Sequence, residues 1–182
     1  MSAFELSSMF PPVYDDSFDR GLFTLTQIQH LMRVEFNRAE RYGYAVTCMV
    51  LSVDRLGHLR DLYGYQSKED ILMSIVKMLE RETRSSDYVG RLADDRLLVV
   101  VPHTGEEGAK ILARRILVGA RELGVVHDGQ AVDVSVSIGA SHNQVHGGPI
   151  LYFDALMRAA EEAVAEATAS GGDRYILKRP GE

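Results

Sequence analysis

The stretch VGRLADDRLLVVVP, residues 89–102, predicts a β-hairpin in the middle of the chain. Two runs that favour β-structure flank a polar turn at residues 92–96, LADDR. The turn holds no glycine, although tight hairpin turns favour residues that accept positive φ angles. A hairpin in the middle of the chain argues against a doubly wound parallel sheet, whose strands are joined by crossover helices.

Apolar periodicity predicts the elements on both sides of this hairpin. Helical spacing of apolar residues predicts helices at residues 24–42, 56–64, 68–83, 106–123 and 152–169. Strands are predicted at residues 44–53, at the alternating stretch 132–141 and at the terminal stretch 171–178. This order predicts an α/β fold with a central, mixed or mostly antiparallel sheet flanked by helices.

Length and composition fit one globular domain. The chain has 182 residues, of which 46% are hydrophobic and 25% are charged. Residues 1–21 show no sustained period and are predicted to be an N-terminal tail, and residues 22–182 form the domain. No apolar run is long enough to cross a bilayer and no signal peptide is evident, so a cytoplasmic location without membrane contact is expected.

Net charge, cysteine content and the positions of the histidines limit the ligands and the chemistry that the chain can support. A formal net charge of −6 gives no basis for nonspecific binding to nucleic acid. Cys48 is the single cysteine and is predicted to be a buried structural thiol. We place His142 and His146 in a glycine-rich loop without a nearby carboxylate pair, and we assign no metal to the histidines.

Five stretches resemble, in order and spacing, the motifs of the GGDEF domain of diguanylate cyclases. Residues 50–72, VLSVDRLGHLRDLYGYQSKEDIL, resemble lldiDhFKxiNDxyGHxxGDxxL, and residues 84–102, RSSDYVGRLADDRLLVVVP, resemble RxxDxxaRxGGDEFxvllp. The other matches are ARRI at 113–116, VSVSIGAS at 134–141 and AAEEAVAEATASGGDRYIL at 159–177. The resemblance implies a palm-like fold related to nucleotide cyclases, whose active members join two GTP molecules into cyclic di-GMP.

Several positions that the resemblance assigns to the active site carry other residues. They are Ser52 for a metal-binding aspartate, Arg60 for a guanine-contacting asparagine, Glu69 for a guanine-contacting aspartate, Ala93 and Asp94 for the two signature glycines, and Arg96 for the second signature acid. Asp95 keeps the first signature acid, and Asp54 keeps the second aspartate of the earlier motif.

These departures predict a domain that is not an enzyme and needs neither a metal nor another cofactor. A hydroxyl is a poor replacement for a carboxylate on a hard divalent cation, and phosphoryl transfer depends on such cations. In this interpretation Asp94 and Asp95 are solvated turn residues without a chemical role. The alternative is a residual nucleotide enzyme that uses Asp54 and Asp95 with one metal ion.

One family motif is intact. Arg84-Ser85-Ser86-Asp87 matches the R-x-x-D inhibitory site, at which the resemblance implies binding of cyclic di-GMP, and Arg115 matches a helix arginine that completes it. A guanidinium can donate two parallel hydrogen bonds to guanine, and a carboxylate can accept from its N–H edge. The alternative is structural, with Arg84 as a favourable charge at a helix end and Asp87 as a turn residue.

The sequence thus predicts a catalytically inactive GGDEF domain that acts as a cyclic di-GMP receptor through Arg84, Asp87 and Arg115. It would signal to a protein partner or form a homodimer. The alternative is a protein-interaction module that works without the ligand, with the tail as a candidate docking segment.

Overall fold

The computed structural model describes residues 22–143 and 153–181. Within these residues the helices are α1 (Leu25–Tyr42), α2 (Leu56–Tyr63), α3 (Tyr65–Glu82), α4 (Glu106–Arg121) and α5 (Phe153–Ala169). The strands are β1 (Val46–Val53), β2 (Tyr88–Arg91), β3 (Leu97–Pro102), β4 (Val125–His127), β5 (Gln130–Val132), β6 (Val136–His142) and β7 (Tyr175–Leu177). The predicted tail and His146 lie outside the described residues.

The central sheet has five strands in the order β2-β3-β1-β6-β7. Its neighbours pair antiparallel except β6 and β7, which are parallel. Strands β4 and β5 form a separate two-stranded hairpin. The prediction of a central, mostly antiparallel sheet flanked by helices is confirmed.

Strand β1 contributes to both hydrophobic layers of the domain. Its alternate side chains point to opposite faces of the sheet. Met49 and Leu51 join the layer under α3 and α4, whereas Cys48 and Val50 join the layer under α1 and α5. Burial of these apolar side chains is the main favourable contribution to folding. Cys48 is fully buried, and this burial raises the pKa of its thiol to about 12, which confirms the predicted structural thiol.

The hairpin turn achieves its geometry without glycine. Strands β2 and β3 pair with Arg91 opposite Leu97, and the backbone N–H of Leu92 donates to the carbonyl oxygen of Arg96 over 2.8 Å. Asp95 supplies the left-handed conformation with φ of +66°. Aspartate tolerates this region better than most residues with a side chain.

Two predictions about residues 125–142 are wrong. The strand predicted at 132–141 is divided, since β5 ends at Val132 and β6 begins at Val136. The β4–β5 hairpin turns through Asp128 and Gly129, both with positive φ, and an Asp-Gly pair is a typical signal for such a turn. His142 is the last residue of β6 and is 2% exposed, because it continues the pairing with β1 instead of entering a loop.

None of the helices in the described part of the chain is long and apolar enough to span a membrane.

Candidate functional site

We call residues 92–96, between β2 and β3, the signature turn. Charged side chains join it to the first part of α3. Arg91, the last residue of β2, donates two hydrogen bonds to the Glu69 carboxylate, over 2.9 Å from Nη1 and 3.0 Å from Nη2. It also donates from Nε to Asp95 Oδ1 over 3.1 Å, and its Nη2 contacts the same oxygen. A bidentate arginine–carboxylate pair fixes geometry as well as charge.

Lys68 completes this group from the α3 side. Its Nζ lies 2.7 Å from Asp95 Oδ2 and 3.3 Å from Glu69 Oε1. We call Lys68, Glu69, Arg91 and Asp95 the turn cluster. It contains two cations and two anions, and all four side chains are less than 30% exposed.

The turn cluster changes the acidity of its members. Hydrogen bonds from Arg91, followed by those from Lys68, lower the pKa of Glu69 despite its partial burial. Burial alone would raise the pKa of Asp95, but the hydrogen bonds from Lys68 and Arg91 outweigh it and the pKa is lowered. The hydrogen bond to Asp95 raises the pKa of Lys68. All four groups are therefore charged at neutral pH.

We expect Glu69 and Asp95 to stay ionised to lower pH in the folded domain than in the unfolded chain. Because their folded pKa values are lowered, their contribution to the free energy of unfolding is complete above the ordinary carboxyl pKa range and is lost as the pH falls through the folded values. Carboxyl carbon chemical shifts during an acid titration measure both pKa values. An Arg91→Met variant should raise the pKa of Glu69, and an unchanged value there would contradict the assignment.

Asp54, just beyond the end of β1, ties three segments together. Its Oδ2 accepts from Ser135 Oγ over 2.7 Å and from the backbone N–H of Asp173 over 2.9 Å, and its Oδ1 accepts from Ser137 Oγ over 2.6 Å. Gly172 lies against this carboxylate with φ of +75°, and a Cβ there would come within 2.8 Å of it. Asp54 thus joins β1 to β6 and to the loop that follows α5.

The other residues that differ from the family motif either form ion pairs outside the turn cluster or carry no charge. Arg96 Nε donates to Asp94 Oδ2 over 2.6 Å, and its Nη2 donates to Glu161 Oε1 of α5 over 3.3 Å. Arg60 is exposed on α2 and pairs with its neighbour Asp61. Ala93 is exposed in the turn, and Ser52 is partly buried near the end of β1.

The interpretation of Asp94 and Asp95 as solvated turn residues needs correction. Asp94 is exposed, but it accepts from Arg96. Asp95 is partly buried and both of its carboxylate oxygens accept hydrogen bonds from cations. Asp95 is therefore an ion-paired member of the turn cluster.

The donor set at the signature turn does not fit a divalent cation in this arrangement. Lys68 and Arg91 already donate hydrogen bonds to the two carboxylate oxygens of Asp95. Ser52, which has only a hydroxyl, stands where the family motif carries another acid. Across residues 22–143 and 153–181, no three histidine, cysteine or acidic side chains are grouped so that they could hold a metal ion.

The R-x-x-D motif, residues 84–87, forms a closed turn between α3 and β2, which we call the motif turn. The backbone N–H of Arg84 donates to Asp87 Oδ2 over 2.8 Å, and the backbone N–H of Asp87 donates to the carbonyl oxygen of Arg84 over 3.0 Å. The other carboxylate oxygen, Oδ1, is buried and accepts no hydrogen bond from the described residues. Burial raises the pKa of Asp87. Residues 84–86 are exposed.

Arg115 on α4 contacts the end of α3, close in sequence to this turn. Its Nε donates to Glu82 Oε2 over 2.9 Å, and its Nη2 donates to the carbonyl oxygen of Glu82 over 3.2 Å. Glu82 is the last residue of α3 and stands two positions before Arg84. A shallow depression of about 390 Å³ adjoins it, lined by Glu82, Arg114, Arg115, Val118, Gly119 and Glu122.

Two members of the turn cluster were not singled out from the sequence. Lys68 and Arg91 stand 27 and 4 residues from Asp95, and only the fold shows that both reach its carboxylate. The sequence did offer one sign of Lys68, because a lysine replaces the second glycine of the motif GHxxGD.

Comparison with known proteins assigns the chain to a family. The family model described as "Diguanylate cyclase, GGDEF domain" matches residues 21–174. The chain belongs to the GGDEF domain family. Diguanylate cyclase A of Treponema denticola is 23% identical over 157 residues, which cover 86% of this chain and 41% of that protein. This chain therefore spans less than half the length of that relative.

Solved structures share the fold. The GGDEF domain of DgcB from Caulobacter crescentus, in complex with cyclic di-GMP, superposes with a TM-score of 0.79 and 16% identity, covering 93% of this chain and 99% of that one. The diguanylate cyclase SiaD from Pseudomonas aeruginosa, in complex with its activator SiaC, gives a TM-score of 0.80 and 24% identity, covering 97% of this chain and 64% of that one. The palm-like fold is confirmed.

The comparisons overturn the prediction that the chain is not an enzyme. The family is an enzymatic one, and the matched relative is named a diguanylate cyclase. Departures from the family motifs at Ser52, Ala93, Asp94 and Arg96 do not remove the chain from that family. The error came from treating each replaced motif residue as a loss of activity.

Proposed function

We propose that this GGDEF domain binds cyclic di-GMP through Arg84, Asp87 and Arg115 and transmits the bound state to a protein partner. The observation that carries the proposal is the buried Asp87 Oδ1, which accepts no hydrogen bond from the described residues. A buried acceptor without a donor costs free energy, and a guanine N–H edge would supply the donor once the R-x-x-D turn opens to the ligand. Cyclic di-GMP carries two such edges.

The two arginines supply the complementary chemistry. Arg84 is exposed at the motif turn, where its guanidinium is accessible to a base or a phosphate. Arg115 is 55% exposed and is oriented by Glu82. A ligand that takes Arg115 would compete with the Glu82 carboxylate for its donors, while the carbonyl contact at the end of α3 can still hold the side chain in place.

A partner molecule is part of the proposal because the site is on an open surface. The depression beside Arg115 is shallow, so a bound ligand would keep a face available for a second protein or a second copy of the domain. The SiaD structure contains a protein activator and the DgcB structure contains cyclic di-GMP, and both complexes support this class of interaction.

Calorimetric titration of cyclic di-GMP into the purified chain tests the proposal. We expect binding by the wild type and a loss of at least about tenfold in affinity for Arg84→Ala, because a charge-assisted, bidentate contact is removed. Arg33→Ala is the matched control, since Arg33 is an exposed arginine on α1, and it should bind like the wild type.

A second variant separates ligand contact from turn structure. Asp87→Asn keeps an oxygen that can accept from the Arg84 N–H, so the turn and the thermal midpoint should be retained while affinity falls. Equal affinities of the wild type, Arg84→Ala and Asp87→Asn would overturn the proposal. Absence of binding by the wild type would favour the ligand-independent interaction module.

A further inference from the structure

Lys68 is an unusual residue for its environment. It is 8% exposed although lysine is seldom buried, and its ammonium is directed at the signature turn. Nζ lies 2.7 Å from Asp95 Oδ2 and 3.3 Å from Glu69 Oε1, and it stands 4.7 Å from the centroid of the Tyr65 ring. Every contact in this set suits a retained positive charge.

The Lys68 ammonium donates a hydrogen bond to Asp95, the acid of the family motif that this chain retains. Asp95 is the one signature residue here that matches the motif, and Lys68 replaces the second glycine of GHxxGD. Arg91 is part of the family motif itself, and it also engages Glu69 through two hydrogen bonds. Lys68 is therefore the departure from the motif that places a cation on the retained acid.

We propose that Lys68 is a built-in cation at the signature turn, whose ammonium takes Asp95 Oδ2 in place of a divalent cation. A cation tethered to α3 acts at a high effective concentration on its own carboxylate. A free Mg²⁺ ion must in addition lose part of its hydration shell before it reaches Asp95. Lys68 thus keeps a divalent cation away from this acid.

The inference concerns a different surface from the proposed cyclic di-GMP site and does not rest on it. Lys68 and Asp95 belong to the turn cluster, whereas Arg84, Asp87 and Arg115 belong to the motif turn and α4. Membership of an enzymatic family is compatible with it, because the tethered cation covers the carboxylate without removing it.

Titration of the full chain with Mn²⁺, followed by the electron paramagnetic resonance signal of the free ion, tests the inference. We expect Lys68→Met to bind Mn²⁺ at least about tenfold more tightly than the wild type. Lys68→Arg, which keeps the charge, should remain close to the wild type. The gain should disappear in the double variant Lys68→Met with Asp95→Asn, which would locate the ion at this carboxylate.

Two results would overturn the inference. One is equal Mn²⁺ affinity for the wild type and a folded Lys68→Met variant, as judged by circular dichroism. The other is a gain that persists when Asp95 is replaced.

A measurement on the wild type alone keeps the inference testable if Lys68→Met does not fold. The ¹⁵N resonance of the Lys68 ammonium should show a hydrogen-bonded group whose chemical shift is unchanged by Mg²⁺ in the low millimolar range. A shift of that resonance at sub-millimolar Mg²⁺ would show that the divalent ion displaces Lys68 readily and would overturn the inference.

Discussion

The Gly139→Ala variant is expected to lose a large part of the stability of the domain. Gly139 lies in β6 beneath α5, and a Cβ there would lie 2.0 Å from the carbonyl oxygen of Ala160 and 2.2 Å from the backbone nitrogen of Val164. Both atoms belong to the helix backbone, so no side-chain rotation relieves the overlap. The helix would have to move away from the sheet, at a cost of about 4 kcal/mol or more.

Such a loss is a large part of the stability of an ordinary domain, which is about 5–15 kcal/mol. Urea denaturation followed by circular dichroism measures it. Gly57→Ala is the matched control, because Gly57 lies in α2 with open space around its Cβ position. We expect this control to be neutral or stabilising by up to about 1 kcal/mol. A Gly139→Ala midpoint equal to that of the wild type would contradict the close packing of α5 on β6.

Replacement of Asp54 by alanine is expected to have the second largest effect. The change removes the acceptor for Ser135, Ser137 and the backbone N–H of Asp173 together. Ser137 is fully buried, so its hydroxyl would be left without this partner in a site that water does not readily reach. We expect a loss of about 2–4 kcal/mol in the free energy of unfolding.

The denaturation midpoint of Asp54→Ala is the measurement, and Asp133→Ala is its control. Asp133 is an exposed aspartate in the segment between β5 and β6, and its replacement should change stability by no more than about 0.5 kcal/mol. Equal midpoints for the two variants would show that the Asp54 contacts do not stabilise the fold.

Sequence pattern predicted the elements whose evidence is local. The 89–102 hairpin and the helices have continuous periodicity, and the structure places them within a few residues of the predicted bounds. The β4–β5 hairpin was missed because its strands are three residues each, although Asp128-Gly129 marks its turn. His142 was misplaced because the glycines that follow it suggested an earlier end to the strand.

Sequence pattern predicted less of the candidate site, because side-chain pairing depends on the tertiary fold. The resemblance to the GGDEF motifs grouped Arg84, Asp87 and Arg115 in one predicted site, which stays a prediction. The contacts between Lys68 and Asp95 join segments 27 residues apart, and composition identifies the charges without identifying the pairs. The same limit explains the wrong conclusion about activity, which rested on residue types alone.

Both edges of the central sheet are short within the described residues. On one side Phe23 bridges to Gly90 of β2, with its N–H donating to the Val89 carbonyl and its carbonyl accepting from Arg91. On the other side β7 is only three residues long. Neither edge offers the long row of unpaired backbone groups to which an incoming strand could add. Recruitment of another protein by strand addition is therefore disfavoured here, and docking is expected on helix faces and turns.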